Sequence, residues 1–238
     1  MAAAGGWKSG ALAGIVGLVI GGGAVAGFYG FRSPDRAGTE EIVRQYILDH
    51  GEILPESMQR LQQRQASAAV GRHRAALETP FHSAWAGAAD GDVVLVEFFD
   101  YACGYCRASN PDVERLLRED PRLKVVWREL PVLGPNSETA AAVSMAAARQ
   151  GRFRQFHDRL FSLGRPTEAT IAEAIRSVGV QPRGLTPEHR AEISRNIELA
   201  RTIGSTGTPT FIVGDRVLEG AVGYETLKQA IAAARAAS

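Results

Sequence analysis

Cysteine is scarce in this chain, whose 238 residues contain two of them, Cys103 and Cys106. No third cysteine and no methionine stands close to this pair in the sequence. The soft ligands that would complete a site for Cu(I) are therefore lacking around it. This shortage favours a catalytic use of the two thiols over a metal-binding one.

Charge of one sign is also lacking, because 27 Lys and Arg residues stand against 26 Asp and Glu residues for a net charge of +1. Such a balance offers no basic surface for nucleic acid. The sequence contains no internal repeat and no phosphate-binding glycine loop. Five histidines are scattered without the spacing of metal ligands: His50, His73, His82, His157 and His189.

The cysteine pair stands where a predicted strand meets a predicted helix. Residues 93–99 are apolar and β-branched or aromatic on both faces, except for Glu97, which is typical of a strand buried on both sides. Residues 107–119 carry apolar side chains at helical spacing. Cys103 is then expected at a helix N-terminus, where such placements lower a cysteine pKa from about 8.5 to roughly 3.5–7.5.

This position predicts different roles for the two thiols. Cys103 is expected to be the nucleophile, and Cys106, one helical turn deeper, to resolve a mixed disulfide formed at Cys103. The alternative is an inert disulfide. A bridge between residues three apart closes too small a loop to stabilise the chain much, which favours the redox role.

The surrounding residues resemble the thioredoxin superfamily and, within it, the DsbA-like exported thiol:disulfide oxidoreductases. Glu97 matches a buried acid of DsbA-like proteins that helps to move the proton of the resolving thiol. A half-buried strand carboxylate without that role is the alternative, since burial alone also raises a carboxyl pKa. Pro111 matches a proline that kinks the active-site helix and is otherwise awkward in a helix interior.

A second motif, Gly-Thr-Pro-Thr-Phe at residues 207–211, opens another apolar strand. The resemblance implies that Pro209 is cis and that Thr208 faces the active-site sulfurs, so that Thr208 and Pro209 bind substrate together with Gly104 and Tyr105. A trans proline that opens an edge strand is the alternative.

The predicted fold is an α/β thioredoxin fold with an inserted helical domain. Residues 123–127 and 211–213 are further strands, Gly214 and Asp215 form a tight turn, and residues 224–236 form the closing helix. Helix caps are expected in the insertion at Asn136, Thr167 and Thr186. The expected organisation is a membrane anchor or signal segment at 1–32, a helical arm at 33–89 and the DsbA-like domain at 90–238, with its insertion at about 136–204.

The dipeptide Gly104-Tyr105 departs from the Pro-His of strongly oxidising DsbA proteins. A thiolate that lacks the histidine is less stabilised, and the pair is expected to be less oxidising. Cys-Gly-Tyr-Cys is more similar to DsbC-type isomerases and to the copper-tolerance relatives called ScsC. Disulfide formation, isomerisation and reduction therefore all stay open, and Cu(I) binding by the two thiolates is the alternative function.

The N-terminus predicts export. Residues 9–31 are uncharged, with an apolar core at 11–20, and approach the roughly 20 residues that a membrane helix needs. An inner-membrane anchor is favoured over a signal peptide cleaved near Ala26. The rest of the chain is then expected in the periplasm, with exported proteins as substrates and a membrane protein as redox partner. No cofactor is expected beyond the Cys103–Cys106 disulfide.

An arm precedes the redox domain. Between residues 39 and 77, an apolar stripe that includes Ile42 and Tyr46 is broken at Gly51, and a second helix follows from Pro55. This region is similar to the N-terminal segment of ScsC-like proteins, which assembles some of them into trimers. Trimerisation through the arm is the hypothesis, and an arm that packs on its own domain is the alternative.

Overall fold

The computed structural model describes residues 36–182 and 184–237. They fall into two compact units, one up to Met58 and one from Gln59 onward. The predicted anchor or signal segment at 1–32 lies outside the described residues. Among the helices that the structure describes, none combines the length and the apolar character needed to cross a bilayer.

Helices α1 (Arg36–Asp49) and α2 (Ile53–Glu78) lie in the region predicted as a helical arm, and the break at Gly51 separates them. No residue of α1 is buried. Six apolar side chains of the first unit are at least half exposed, whereas Ile47 and Ile53 are partly buried. The six are Ile42, Val43, Tyr46, Leu48, Leu54 and Met58. Farther along α2, in the second unit, Ala69, Val70 and Leu77 are buried.

One five-stranded sheet forms the centre of the second unit, in the order β1-β3-β2-β4-β5. Strands β2 and β3 are parallel neighbours, and the other pairs are antiparallel. Residues 93–99 form β2 as predicted, and its neighbours bury both of its faces. The strands are β1 (Trp85–Gly87), β2 (Val93–Phe99), β3 (Leu123–Glu129), β4 (Thr210–Val213) and β5 (Arg216–Glu219).

Six helices accompany this sheet after β2. Helix α3 follows β2 and contains Pro111, and α8 closes the fold over the residues predicted for it. Four helices separate β3 from β4, where the helical insertion was predicted. The six are α3 (Gly104–Glu119), α4 (Pro135–Arg149), α5 (Phe153–Leu163), α6 (Glu168–Val178), α7 (Pro187–Thr202) and α8 (Tyr224–Ala236).

Two of the three predicted caps are confirmed. The Thr167 and Thr186 hydroxyls accept backbone N–H groups at the starts of α6 and α7. The prediction for Asn136 is wrong, because α4 begins one residue earlier with Pro135 at its first position and Gly134 as its cap. A proline at the first helical position lacks an N–H that would have no partner in the helix anyway.

Packing on the two faces of the sheet gives two cores. One core contains Phe99, Val125 and both cysteines and is covered by α3 and α8 and by α4, α5 and α6 of the insertion. The other contains Val96 and Val126, and parts of α2 and α7 cover it. The redox pair therefore lies in the larger core, at the end of a central strand.

Candidate active site

Cys103 is the N-cap of α3, as the strand-to-helix junction predicted. Its backbone is extended, and its N–H donates to the Asp100 carbonyl oxygen at 3.0 Å in a tight turn after β2. Cys103 exposes 6 % of its surface and Cys106 none. Both are free thiols, and the one nearer the surface is the one at the helix N-terminus.

The two thiols differ strongly in acidity. A hydrogen bond from the Cys106 thiol lowers the pKa of Cys103 to about 5, against the opposing effect of burial. The Thr208 side chain and the backbone N–H groups of Tyr105 and Cys106 also favour the thiolate. Burial raises the pKa of Cys106, and the neighbouring Cys103 adds to that rise. Near neutral pH the reduced pair is therefore one thiolate and one thiol.

Strand β4 brings the second motif to the sulfurs. Its antiparallel pairing with β2 sets Thr210 opposite Phe98, so the chain just before β4 reaches the active-site turn. The Thr208–Pro209 bond is cis, as predicted. In its protonated form, the Cys103 thiol donates to the Thr208 carbonyl oxygen at 3.1 Å.

Glu97 lies on β2 inside the same core and is 1 % exposed. Its carboxyl group accepts a hydrogen bond from Trp127 Nε1 at 3.0 Å, because Glu97 and Trp127 are register partners on β2 and β3. Burial raises the pKa of Glu97 to about 8, and the Cys103 charge contributes. Glu97 in turn raises the pKa of Cys106, so the acid and both thiols are electrostatically coupled.

The dipeptide between the cysteines faces outward. Tyr105 is 69 % exposed, and no neighbouring atom lies within 4 Å of the position that a Cβ would take at Gly104. All seven site residues predicted from the sequence thus lie at or near one end of β2 and β4, from the buried Glu97 to the exposed Tyr105.

Sequence reasoning missed two partners of this site. Asp100, 1 % exposed, accepts hydrogen bonds from three backbone N–H groups around the active-site turn. Trp127 supplies the hydrogen bond to Glu97. Asp100 is a lone acid directly after an apolar strand, which is a detectable signal, whereas the role of Trp127 depends on a strand register that one sequence does not show.

Metal ligands are not clustered in the described residues, where no three His, Cys, Asp or Glu side chains could hold an ion together. The chemistry available at the site is that of a thiolate, a buried thiol and a buried acid.

Family models match two parts of the chain. A model described as a DSBA-like thioredoxin domain matches residues 94–232. A second, described as the copper resistance protein ScsC N-terminal domain, matches residues 35–68. The first match includes the strand, both cysteines and the cis proline, and the second falls on the arm.

Solved structures with this fold include a linker-deletion mutant of Proteus mirabilis ScsC. It is 27 % identical, with a TM-score of 0.72 over 87 % of this chain and 98 % of that one. A periplasmic thioredoxin-like protein from Salmonella enterica serovar Typhimurium is 31 % identical, with a TM-score of 0.65 over 68 % of this chain and 95 % of that one.

A curated protein, Na(+)/H(+) antiporter NhaA 3 of Salinispora tropica, is 32 % identical over 162 residues, which are 64 % of this chain and 24 % of the antiporter. The chain therefore spans about a quarter of the length of this relative. The match to the first family model covers more than half of the chain and coincides with the site built above. The chain belongs to the family of DSBA-like thioredoxin domains.

Proposed function

We propose that the protein is a thiol:disulfide oxidoreductase that acts on exported proteins through the Cys103–Cys106 pair. One observation carries the proposal: Cys103 has a pKa of about 5 at the N-terminus of α3, beside a buried thiol whose pKa is raised. Such a pair provides a good leaving group at one sulfur and a resolving group at the other.

Disulfide donation begins with the oxidised pair. A substrate thiolate attacks the Cys103 sulfur, the Cys103–Cys106 bond breaks, and Cys106 leaves as a thiolate. A second substrate thiolate then attacks the substrate sulfur of the mixed disulfide and expels Cys103 as a stable thiolate. The substrate loses two electrons and the pair gains them. The reverse sequence reduces a substrate. In isomerisation, the Cys103 thiolate attacks a substrate disulfide and releases one substrate thiolate, and another substrate thiolate then attacks the substrate sulfur of the mixed disulfide. This step forms a new substrate disulfide and releases Cys103, without net electron transfer.

Glu97 supplies the proton that this cycle requires. Expulsion of Cys106 places a negative charge in a buried site, where an isolated thiolate is costly. With a pKa of about 8, Glu97 is mostly protonated at neutral pH and can return a proton to Cys106. In the reverse direction its carboxylate accepts that proton.

Substrate docking is assigned to the residues around Cys103. Thr208 and Pro209 present backbone groups to an extended substrate chain beside the sulfur. Gly104 leaves the approach to Cys103 open, and the exposed Tyr105 ring offers an apolar contact.

A periplasmic location follows from the predicted export segment and is supported by the Salmonella relative, which is described as periplasmic. Anchorage in the inner membrane by residues 1–32, and exchange of electrons with a membrane redox partner, complete this proposal. For the arm, we propose trimerisation through its exposed apolar side chains, which would otherwise face water.

Cu(I) binding is the second candidate function, because the arm matches a model named for copper resistance and a thiolate at Cys103 is a soft ligand. Stoichiometric copper binding by the reduced protein, with no reaction on any disulfide substrate, would favour it over catalysis.

A trapping experiment tests the main proposal. In Cys106→Ser the nucleophile remains but the resolving thiol is gone, so mixed disulfides with substrate proteins should accumulate and disappear on reduction. Cys103→Ser is the matched control and should trap none. Equal trapping by both variants would contradict the assignment of Cys103 as the nucleophile.

A further inference from the structure

Asp100 is a buried acid that the redox cycle does not use. It follows β2 directly, is 1 % exposed, and forms no ion pair within the part of the chain that the structure describes. Its carboxylate accepts three backbone N–H groups instead: Ala102 at 2.8 Å on Oδ1, and Val132 at 2.9 Å and Leu133 at 3.0 Å on Oδ2. These hydrogen bonds compensate for the burial of the charge.

The three hydrogen bonds connect two separate loops. Oδ1 accepts the Ala102 N–H within the active-site turn, and in the same turn the Asp100 carbonyl oxygen accepts the Cys103 N–H. Oδ2 faces the loop between β3 and α4, which lies more than 30 positions farther along the chain. The Leu130 N–H donates to the Phe99 carbonyl oxygen at 2.8 Å and continues the parallel pairing of the strands up to this loop. One carboxylate thus joins the turn that carries the nucleophile to a neighbouring loop.

The joined loop carries exposed apolar side chains. Val132 is 53 % exposed and Leu133 is 52 % exposed, although their backbone N–H groups are fixed by Asp100. Tyr105, on the active-site turn side, is also exposed. Exposed apolar side chains on a loop that is hydrogen-bonded to the active-site turn form a surface for a polypeptide partner.

We propose that Asp100 is a positioning residue that holds residues 131–133 against the active-site turn, so that Val132 and Leu133 contact apolar side chains of an extended polypeptide whose cysteine reacts at Cys103. The inference rests on the proposed function and deepens it. A loop that is already ordered loses little conformational entropy when substrate binds. Asp100 therefore acts on substrate affinity, while the chemistry of the sulfurs depends on Cys106, Glu97, Thr208 and the helix N-terminus.

The variant Asp100→Ser separates the hydrogen bond within the active-site turn from the two hydrogen bonds to the neighbouring loop. A serine hydroxyl can accept the Ala102 N–H within the turn, but it is too short to reach Val132 and Leu133. For a cysteine peptide with leucines beside the cysteine, KM should rise on the order of tenfold, equivalent to about 1.4 kcal/mol. We expect kcat, and the pH profile of Cys103 alkylation, to stay within about twofold of wild type. An unchanged KM, or a fall in kcat alone, would overturn the proposal.

A double-mutant cycle tests whether Asp100 acts through the loop. Val132→Ala and Leu133→Ala together remove the apolar contacts and keep both backbone N–H groups. In that background Asp100→Ser should raise KM by less than about twofold, because the surface it positions is already gone. A full tenfold rise would show that Asp100 acts by another route. Asp90→Ser, at an exposed aspartate, is the matched control and should leave KM unchanged.

Two further measurements keep this result distinct from other causes. If the serine variant does not fold, Asp100→Asn takes its place in the test. Asparagine keeps the shape of the side chain but turns an N–H₂ group toward backbone N–H donors, so this variant should also raise KM. Reaction with glutathione, which is too small to contact the loop and the sulfur together, tests the proposed function by itself. If wild type fails to react with glutathione, the proposed function is wrong. If wild type and Asp100→Ser react equally with glutathione and share one KM for the peptide, the role of Asp100 alone is wrong.

Discussion

At the scale of single residues, the environments of Cys103, Cys106 and Glu97 set the pKa values of these three groups apart. The Cys103 sulfur receives hydrogen bonds from a thiol and from backbone N–H groups, whereas Cys106 and Glu97 are buried among apolar side chains. Charge is therefore concentrated on one sulfur, and the protons are held on the other two groups. This division follows from the placement of Cys103 at a helix N-terminus and of Glu97 on a central strand.

Alkylation should reveal the acidity of Cys103. Because its pKa is lowered to about 5, the rate with iodoacetamide should rise as pH increases through about 5 and level off near neutrality. This thiolate stabilises the reduced protein fully above about pH 8.5, where a thiol in the unfolded chain ionises, and the contribution is lost progressively as pH falls from about 8.5 to about 5. An inflection near pH 8.5 would contradict the lowered pKa, and Cys103→Ser should remove the fast reaction.

Glu97→Gln should change the pH dependence of stability. A carboxyl group whose pKa rises from 4.5 to about 8 on folding stays protonated in the native state and ionises in the unfolded one. Wild type should therefore lose stability relative to the variant as pH increases from 4.5 to 8, by up to about 1.4 kcal/mol per pH unit. Glutamine still accepts from Trp127, so little else changes. Parallel stability curves from urea denaturation across this range would contradict the raised pKa.

At the scale of elements, predictions from local pattern were accurate where a strand or helix carries its own signal. Residues 93–99 are apolar enough to identify a central strand, and Thr186 followed by Pro187 marks the start of α7. Helix α5 was not resolved as a separate element, because it begins at Phe153 with no side-chain cap. Its apolar residues at helical spacing, Phe153, Phe156 and Leu160, could have identified it.

Elements and contacts that depend on partners distant in the chain could not be predicted from the sequence. Strand β1 has three residues and no clear period, and its pairing with β3 defines it. Arg128 is a cation inside β3 that is 3 % exposed. It donates to the Leu77 carbonyl oxygen in the last turn of α2, to the Thr79 carbonyl oxygen just after that helix, and to Glu192 and Asn196 on α7. A single sequence gives no sign that these four acceptors converge on one strand.

Arg128→Met should therefore be costly. It removes one of the two guanidinium partners of the Glu192 carboxylate, which is 6 % exposed and keeps Arg195 at 3.1 Å. It also leaves the Leu77 and Thr79 carbonyl oxygens without this donor, and we expect a total cost of about 3 kcal/mol. The double variant Arg128→Met with Glu192→Leu removes both charges and should recover part of that loss. Arg176→Met, which breaks an exposed pair with Glu173, should cost under about 1 kcal/mol. Equal costs for the two single variants in urea denaturation would contradict the buried role of Arg128.

At the scale of the whole molecule, the compact unit that carries the cysteine pair follows a smaller unit in which six large apolar side chains are at least half exposed. A fragment that starts at Gln59 keeps the whole second unit, whereas one that starts at the predicted arm boundary near residue 89 removes part of its core. Ala69, Val70 and Leu77 of α2 are part of the second core and have to stay.

Oligomerisation through the arm is tested by mass in solution. A fragment from residue 33 should sediment as a trimer, and a fragment from residue 59 as a monomer. Ile42→Glu and Tyr46→Glu should break the trimer, because both residues are more than half exposed in the single chain and would be covered in an assembly. Arg44→Glu, at an exposed polar position of α1, is the control. A monomeric mass for the fragment from residue 33 would contradict the proposal.

The reduction potential of the Cys103–Cys106 pair in glutathione buffers shows whether the two cysteines form a reversible redox pair. A lowered Cys103 pKa stabilises the reduced form and raises the potential. Without the histidine of strongly oxidising relatives, the pair should lie below roughly −120 mV and equilibrate with glutathione at roughly −130 to −230 mV. A pair that does not equilibrate, or one with a potential below about −300 mV as in structural disulfides, would contradict the catalytic account.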